Sequence, residues 1–384
     1  MRLAFIAPRF PEDGVVGGAE TLLRNLADYA AEQGHQVDFL TTCATDHHTW
    51  TNNLPAGERK VGQLAVHHFP VNEDRDLVAF ATLQDRVSKN QKLTREEQTR
   101  WLETSVNSQA LEAHLKATDY DAVMAGPYLF GITWNAMRIK PERNWLVPCL
   151  HDECFAYQEI MGDMFREVRG ILFNAQPEKE LAERLYGITD KGTVVGMGLD
   201  AFEAAPDAPQ VTRPYLLYSG RREPLKGTPL LLDYVNAFRR RTDKGLHLVL
   251  TGSGEFEIPE GLKGHVTDLG FVSEADKHNL MAGATAFVHP SVNESFGIVL
   301  LESFLAGTPA LVHAKSDVLK HQCEQSGAGF WFRSYPEFEA MLLRLMNDQA
   351  LYEQMSAAGK TFVQQTYSWE AVGKRFFDAL DSVS

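Results

Sequence analysis

The sequence predicts an α/β protein of two Rossmann-like domains facing each other across a cleft, and three observations carry that prediction. Its 384 residues exceed one typical domain. A strand–loop–helix–strand pattern opens the chain, and the same pattern restarts after a proline-rich stretch near residue 201. Composition is that of a soluble globular protein, 44% hydrophobic and 23% charged, which excludes disorder, collagen and coiled coil for the chain as a whole.

Element by element, Arg2 to Ala7 is a short apolar strand. It is too short for the apolar core of a signal peptide, so it is expected to be a first buried strand. A Gly/Pro-rich loop follows, from Pro8 to Gly18, and then a helix with Leu22, Leu23, Leu26, Ala27 and Ala30 on one face, ending at Gly34. Val37 to Thr41 is the second strand. Residues 72–119 are polar and helix-prone, enough for one or two amphipathic helices. Their cations (Arg86, Lys89, Lys92, Arg95 and Arg100) are interleaved with Asp85, Glu96 and Glu97, as on a solvated face. Acceptor contact or peripheral membrane contact through this first domain is a lesser expectation. Further strands are expected at 122–125, 145–150, 170–174 and 193–195, with a helix at Pro177 to Tyr186.

The linker is 201–214, with domains expected at 1–203 and 204–368 and the last helix, 369–384, packing back on the first. Strands at 215–219, 246–251, 285–289 and 310–312 and a helix at 230–240 rebuild the pattern. Ligands of such sheets bind at the C-terminal strand edges, hence the predicted cleft.

The formal charge of −14 disfavours DNA, RNA and anionic lipid as bulk partners. Cys43, Cys149, Cys154 and Cys323 fit no zinc or disulfide spacing, which suggests core thiols in a reducing, cytoplasmic setting. No stretch approaches the roughly 18 apolar residues of a membrane span.

Local chemistry contradicts the bulk charge. Tyr218-Ser-Gly-Arg221-Arg222-Glu-Pro-Leu-Lys226-Gly227 concentrates three cations just past a strand, where Arg forks and a Lys point charge suit phosphate oxygens. Glu302 lies in an otherwise apolar helical run, with Glu294 just before it and Gly297 near the first turn. A carboxylate buried there needs a hydrogen-bonding task, and hydroxyls of a sugar or ribose supply one. The loop Gly14-Val-Val-Gly17-Gly18 lets backbone approach a ligand, although its spacing is not that of a dinucleotide fingerprint.

The run Glu294-Ser-Phe-Gly-Ile-Val-Leu-Leu-Glu302 resembles the E-x7-E motif of family 4 retaining glycosyltransferases, which have the GT-B fold. The resemblance extends over Gly17-Gly18, Gly220-Arg221, Lys226-Gly227, Leu250-Thr-Gly252-Ser-Gly254, Leu269-Gly-Phe271-Val272, Ala306-Gly-Thr-Pro309 and Tyr367-Ser-Trp-Glu370. It implies that Arg221 and Lys226 neutralise the nucleotide diphosphate, that Glu302 holds the ribose and that Glu294 holds the donor sugar. Phe296, Gly297 and Ile298 would supply backbone contacts, Phe271 and Val272 would flank the base, and His151 would stand beside the reacting sugar. The implied reaction is retaining hexosyl transfer from a UDP-sugar, favoured over a GDP-sugar, to a glycan, lipid-linked or small-molecule acceptor. It needs no metal or other cofactor, because preorganised cations stabilise the departing diphosphate. Met197-Gly198 and Asn174-Ala175 depart from the family pattern at positions without chemistry.

Four other readings compete with this one. Asp74-Arg-Asp76 and Asp119-Tyr-Asp121 have the letters of a metal-binding DxD motif, and Gly359-Lys-Thr361 those of part of a P-loop whose leading glycine is replaced by Gln354. A nucleotide-sugar 2-epimerase and a non-catalytic sugar-nucleotide-binding protein are the remaining two.

Overall fold

The computed structural model describes residues 1–13, 17–205 and 211–382. Gly14, with the two valines after it, and the middle of the linker (206–210) lie outside the described residues. The chain divides into two compact units, Met1–Gly198 with Trp369–Ser384, and Leu199–Ser368.

The first unit runs β1 (Arg2–Ile6), α1 (Gly18–Glu32), β2 (Gln36–Thr42), β3 (Gly57–Val61), β4 (Leu64–Phe69), α2 (Leu77–Ser88), α3 (Arg95–Thr104), α4 (Gln109–Ala117), β5 (Ala122–Ala125), α5 (Gly131–Met137), β6 (Asn144–Leu146), α6 (Glu159–Glu167), β7 (Gly170–Phe173), α7 (Gln176–Tyr186) and β8 (Gly192–Val194). The strands form one sheet in the order β3-β4-β2-β1-β5-β6-β7-β8. All its pairings are parallel except β3 with β4. Parallel strands must be covered on both faces, and β1, β5 and β7 are accordingly apolar and buried along nearly their whole length. The β3–β4 hairpin was not expected: β3 is Gly-Glu-Arg-Lys-Val, an exposed edge strand whose charges guard an open ladder.

Residues 72–119 form three helices rather than one or two. Asp76 caps α2 and pairs with Arg100 at 2.8 Å, while Arg86 pairs with Glu97 at 2.6 Å and Lys89 with Asp85 at 2.7 Å. Asp119 is held by Lys140 at 2.9 Å, and Asp121 accepts the Arg2 N–H at 2.7 Å. Asp76, Asp119 and Asp121, three of the four carboxylates with DxD lettering, are therefore occupied in capping and pairing.

The second unit runs β9 (Tyr215–Ser219), α8 (Thr228–Arg241), β10 (His247–Thr251), β11 (Val266–Asp268), α9 (Glu274–Gly283), β12 (Ala286–His289), α10 (Ile298–Leu305), β13 (Ala310–His313), α11 (Asp317–Ser326), β14 (Gly329–Phe332), α12 (Tyr335–Asn347) and α13 (Gln349–Thr366). Its sheet is parallel throughout, in the order β11-β10-β9-β12-β13-β14. Gly359-Lys-Thr361 lies inside α13. The last helix, α14 (Trp369–Asp381), belongs to the first unit, where Trp369 stacks on Tyr29 with centroids 5.2 Å apart and Arg375 donates to the Val195 carbonyl at 2.9 Å. Among the described residues, no helix is long and apolar enough to cross a membrane.

One buried acid ties the first unit's strand ends together. Glu178 on α7 accepts the backbone N–H groups of Leu150 and Asn174, both at 2.6 Å. Burial pushes its carboxyl up to about 7 against the pull of those two donors. The folded state therefore holds this proton more tightly than the unfolded chain, whose Glu titrates near 4.5, and native stability falls as pH rises through that window. Glu178→Gln is expected to remove this slope in urea titrations between acidic and neutral pH. Glu178→Leu, which orphans two buried donors, is expected to cost about 2–4 kcal/mol.

Candidate functional site in the second unit

In the second sheet the strand order reverses at β9, which lies between β10 and β12. Loops leaving two such strands in opposite directions open a crevice beyond their C-terminal ends. The loop after β9 carries Gly220 to Gly227, and the loop after β12 carries Pro290 to Gly297. Candidate residues from both loops meet in this crevice.

Gly227 makes the first loop fit. Its φ is +76°, and a Cβ there would stand 2.6 Å from the carbonyl oxygen of Pro290. The backbone of one loop thus presses on that of the other. The 3-10 turn Pro224–Lys226 points Lys226 across the crevice, where its Nζ lies 2.5 Å from Glu294 Oε1. Both side chains are largely buried. Burial pushes the Glu294 carboxyl up, but His289 and Lys226 more than offset it, leaving Glu294 below the usual carboxylate range. His289, whose Nε2 is 3.6 Å from Glu294, is itself pushed down by burial.

Arg221 is solvent-facing, with its guanidinium 3.2 Å from Glu223 and its carbonyl accepting the Tyr218 hydroxyl. Gly220, just past β9, donates its N–H to the Thr251 carbonyl at 3.0 Å. Arg222 corrects the expectation of a three-cation pocket. It is buried, forks onto Asp268 at 2.7 Å and the Gly254 carbonyl at 2.8 Å, and lies over the Phe256 ring. The basic edge consists of Arg221 and Lys226, and Arg222 is part of the frame behind them.

Gly297, with φ +81° and Leu319 where a Cβ would go, caps α10 without any side-chain bond to the helix N-terminus. That end presents the positive pole of its dipole. Phe296 is buried edge-on to Tyr367, so its side chain is core, and only its backbone is open to the role expected of it. Ile298 begins the helix, and Glu302 sits one turn further on. The Glu302 carboxylate meets Lys277 of α9, with Nζ 2.9 Å from Oε2. Burial raises it above the usual range despite this partner. Phe271 is exposed and Val272 half-buried, at the loop between β11 and α9.

The first-unit candidates lie at the C-terminal edge of their own sheet. Gly17 donates its N–H to Glu20 at 2.7 Å, Gly18 opens α1, and Glu20 in turn holds the buried Arg9 at 2.8 Å. His151 follows Leu150, its Nδ1 3.6 Å from Glu153, which also accepts the Tyr128 hydroxyl at 2.9 Å.

The sequence reading passed over His289 and Lys277. His289 stands at a strand end beside the motif, and Lys277 lies three residues after Glu274 on a helix face, a spacing that brings side chains together. Glu274, His278 and Glu302 bring ligand atoms within 4.8 Å of one another, but the Lys277 ammonium, 2.7 Å from Glu274, already serves that group as its cation.

A largely buried ion pair spanning two loops predicts strong coupling. Lys226→Met is expected to destabilise the second unit by about 2 kcal/mol, because it strands the Glu294 charge. Adding Glu294→Gln should restore at least half of that loss in a double-mutant cycle. Purely additive losses would mean that the pair carries no coupling.

Residues 202–362 match the family described as glycosyl transferases group 1. A phosphatidyl-myo-inositol mannosyltransferase of Mycobacterium leprae is 30% identical over 200 residues, 49% of this chain and 52% of that protein. An O-antigen chain mannosyltransferase B of Escherichia coli is 29% identical over 164 residues, 41% of this chain and 42% of that protein. The chain thus spans about half the length of the curated relatives it matches. Among solved structures, Anabaena Alr3699/HepE in complex with UDP and glucose superposes with a TM-score of 0.68 at 18% identity, covering 99% of both chains. The sucrose-phosphate synthase of Thermosynechococcus elongatus gives 0.69 at 16% identity, covering 100% of both. Likeness at that identity speaks for the fold. Residues 202–362 thus form a region similar to the group 1 glycosyl transferases, and the two parallel-sheet units have the GT-B fold of these structures.

Proposed function

We propose that this protein is a retaining glycosyltransferase that moves a hexosyl group from a nucleoside-diphosphate sugar to a glycan, lipid-linked or small-molecule acceptor. The observation that carries the proposal is the composition of the crevice between the loops after β9 and β12. Two cations (Arg221 and Lys226), an uncapped helix N-terminus and two buried carboxylates (Glu294 and Glu302) share one strand edge.

The division of labour follows from charge. As the anomeric bond breaks, negative charge builds on the diphosphate, and Arg221, Lys226 and the α10 dipole stabilise it from fixed positions. Glu294, kept ionised by Lys226, accepts hydrogen bonds from sugar hydroxyls. Glu302 does the same for the ribose. Gly297 and Ile298 offer backbone, and Phe271 and Val272 flank the base. His151, at the first unit's strand edge, serves the reacting sugar, and we assign the acceptor side to that unit. With cations supplied by the chain, the reaction proceeds without a divalent metal or other cofactor. The relatives' names support a mannosyl donor carried on GDP, while the UDP and glucose of the Anabaena structure support the UDP-sugar alternative.

The test is donor hydrolysis and transfer with UDP-glucose and GDP-mannose in the presence of EDTA. Wild type is expected to turn over one of them, and Arg221→Ala to lose about 10²-fold in kcat/KM. His151→Ala is expected to lose turnover while still being stabilised thermally by the matching nucleotide. Abolition by EDTA would contradict the metal-free mechanism. Nucleotide binding without turnover by wild type would favour a non-catalytic binding protein.

A further inference from the structure

Helix α9 places Glu274, Lys277 and His278 on one face, and that face packs on α10. Its position is fixed from behind by Phe202, whose ring stacks on His278 with centroids 3.5 Å apart and planes 6° from parallel. Lys277 is thereby pressed into the interior with only 13% of its side chain exposed, and its ammonium bridges two carboxylates. It donates to Glu302 Oε1 at 3.1 Å. Glu302 Oε2, although 2.9 Å from the same nitrogen, is buried and accepts no aligned hydrogen bond from the described residues. An ionised carboxylate with one satisfied and one unsatisfied oxygen is a receptor that lacks its donor.

Resting on the donor-site reading above, we infer that Lys277 is a positioning residue that makes Glu302 selective for a ribose 2′,3′-diol. Acting through Glu302, Lys277 holds that carboxylate ionised and fixes its plane, so that both oxygens face hydroxyl donors and neither carries a proton. Without the cation, the buried acid takes up a proton and becomes one donor and one acceptor. The two ribose hydroxyls then lose their matched pair of acceptors. A 2′-deoxyribose, which supplies one hydroxyl fewer, is penalised only while Lys277 is in place.

The experiment is calorimetric titration of UDP, GDP and their 2′-deoxy counterparts into wild type, Lys277→Met and Lys277→Arg, with donor kinetics in parallel. Wild type is expected to prefer the ribonucleotide by about 10-fold or more, the discrimination typical of a hydrogen bond to a charged group. Lys277→Met should lose most of this preference and raise the donor KM about 10-fold with kcat within about twofold, whereas Lys277→Arg should restore both. Full preference retained in Lys277→Met would overturn the inference. If that variant does not fold, Lys277→Gln is read instead, with loss of preference supporting the inference and its retention overturning it. Failure of wild type to bind any nucleotide would instead remove the donor-site reading itself, which keeps the two failures distinct.

Discussion

The second unit is organised around the contact between Lys226 and Glu294. The sheet order β10-β9-β12 parts the two loops that carry them, and the ion pair closes the gap. Neither residue could stand there alone at low cost, since a lysine pressed against a buried acid needs that acid and the acid needs the lysine. The close approach of Gly227 to Pro290 sets the distance, and the left-handed Gly297 turns the chain from Glu294 into α10. A pair of opposite charges waiting at a strand edge can also be opened. On the proposed reading, a phosphate takes over the lysine while sugar hydroxyls take over the carboxylate, and the contact between the two loops is exchanged for contacts to the donor.

A second ion pair repeats the arrangement one turn into the helix. Lys277 serves Glu302 as Lys226 serves Glu294, and in both cases the cation comes from a different element than the acid. Each carboxylate is thus fixed by tertiary structure rather than by its own element, and each depends on packing at a distance. Arg222 and Asp268 form a third pair, which ties the loop after β9 to the end of β11.

Much of the fold was legible because parallel strands are buried on both faces and therefore appear as short apolar runs between glycine and proline. The hairpin of β3 and β4 was not, because an exposed edge strand made of Glu58, Arg59 and Lys60 has the composition of a loop. Glu302 was legible because its helical run is otherwise apolar, and Glu294 because it lies just before that run. The different fates of Arg221 and Arg222 were not, since adjacent arginines look equivalent until a partner 46 residues away selects one of them. Lys277 escaped notice for the same reason, as its partner Glu302 lies 25 residues beyond it. Pairing across long sequence separation is a property of the folded chain, and single-sequence pattern does not encode it locally.

The most direct measurement is a crystal structure of the protein soaked with UDP-glucose or GDP-mannose. The account predicts diphosphate density between Lys226 and the N-terminus of α10, the Lys226–Glu294 contact opened, and the ribose against Glu302. Density for the nucleotide at any other edge of the second sheet, or an unbroken Lys226–Glu294 contact beneath a bound donor, would contradict it.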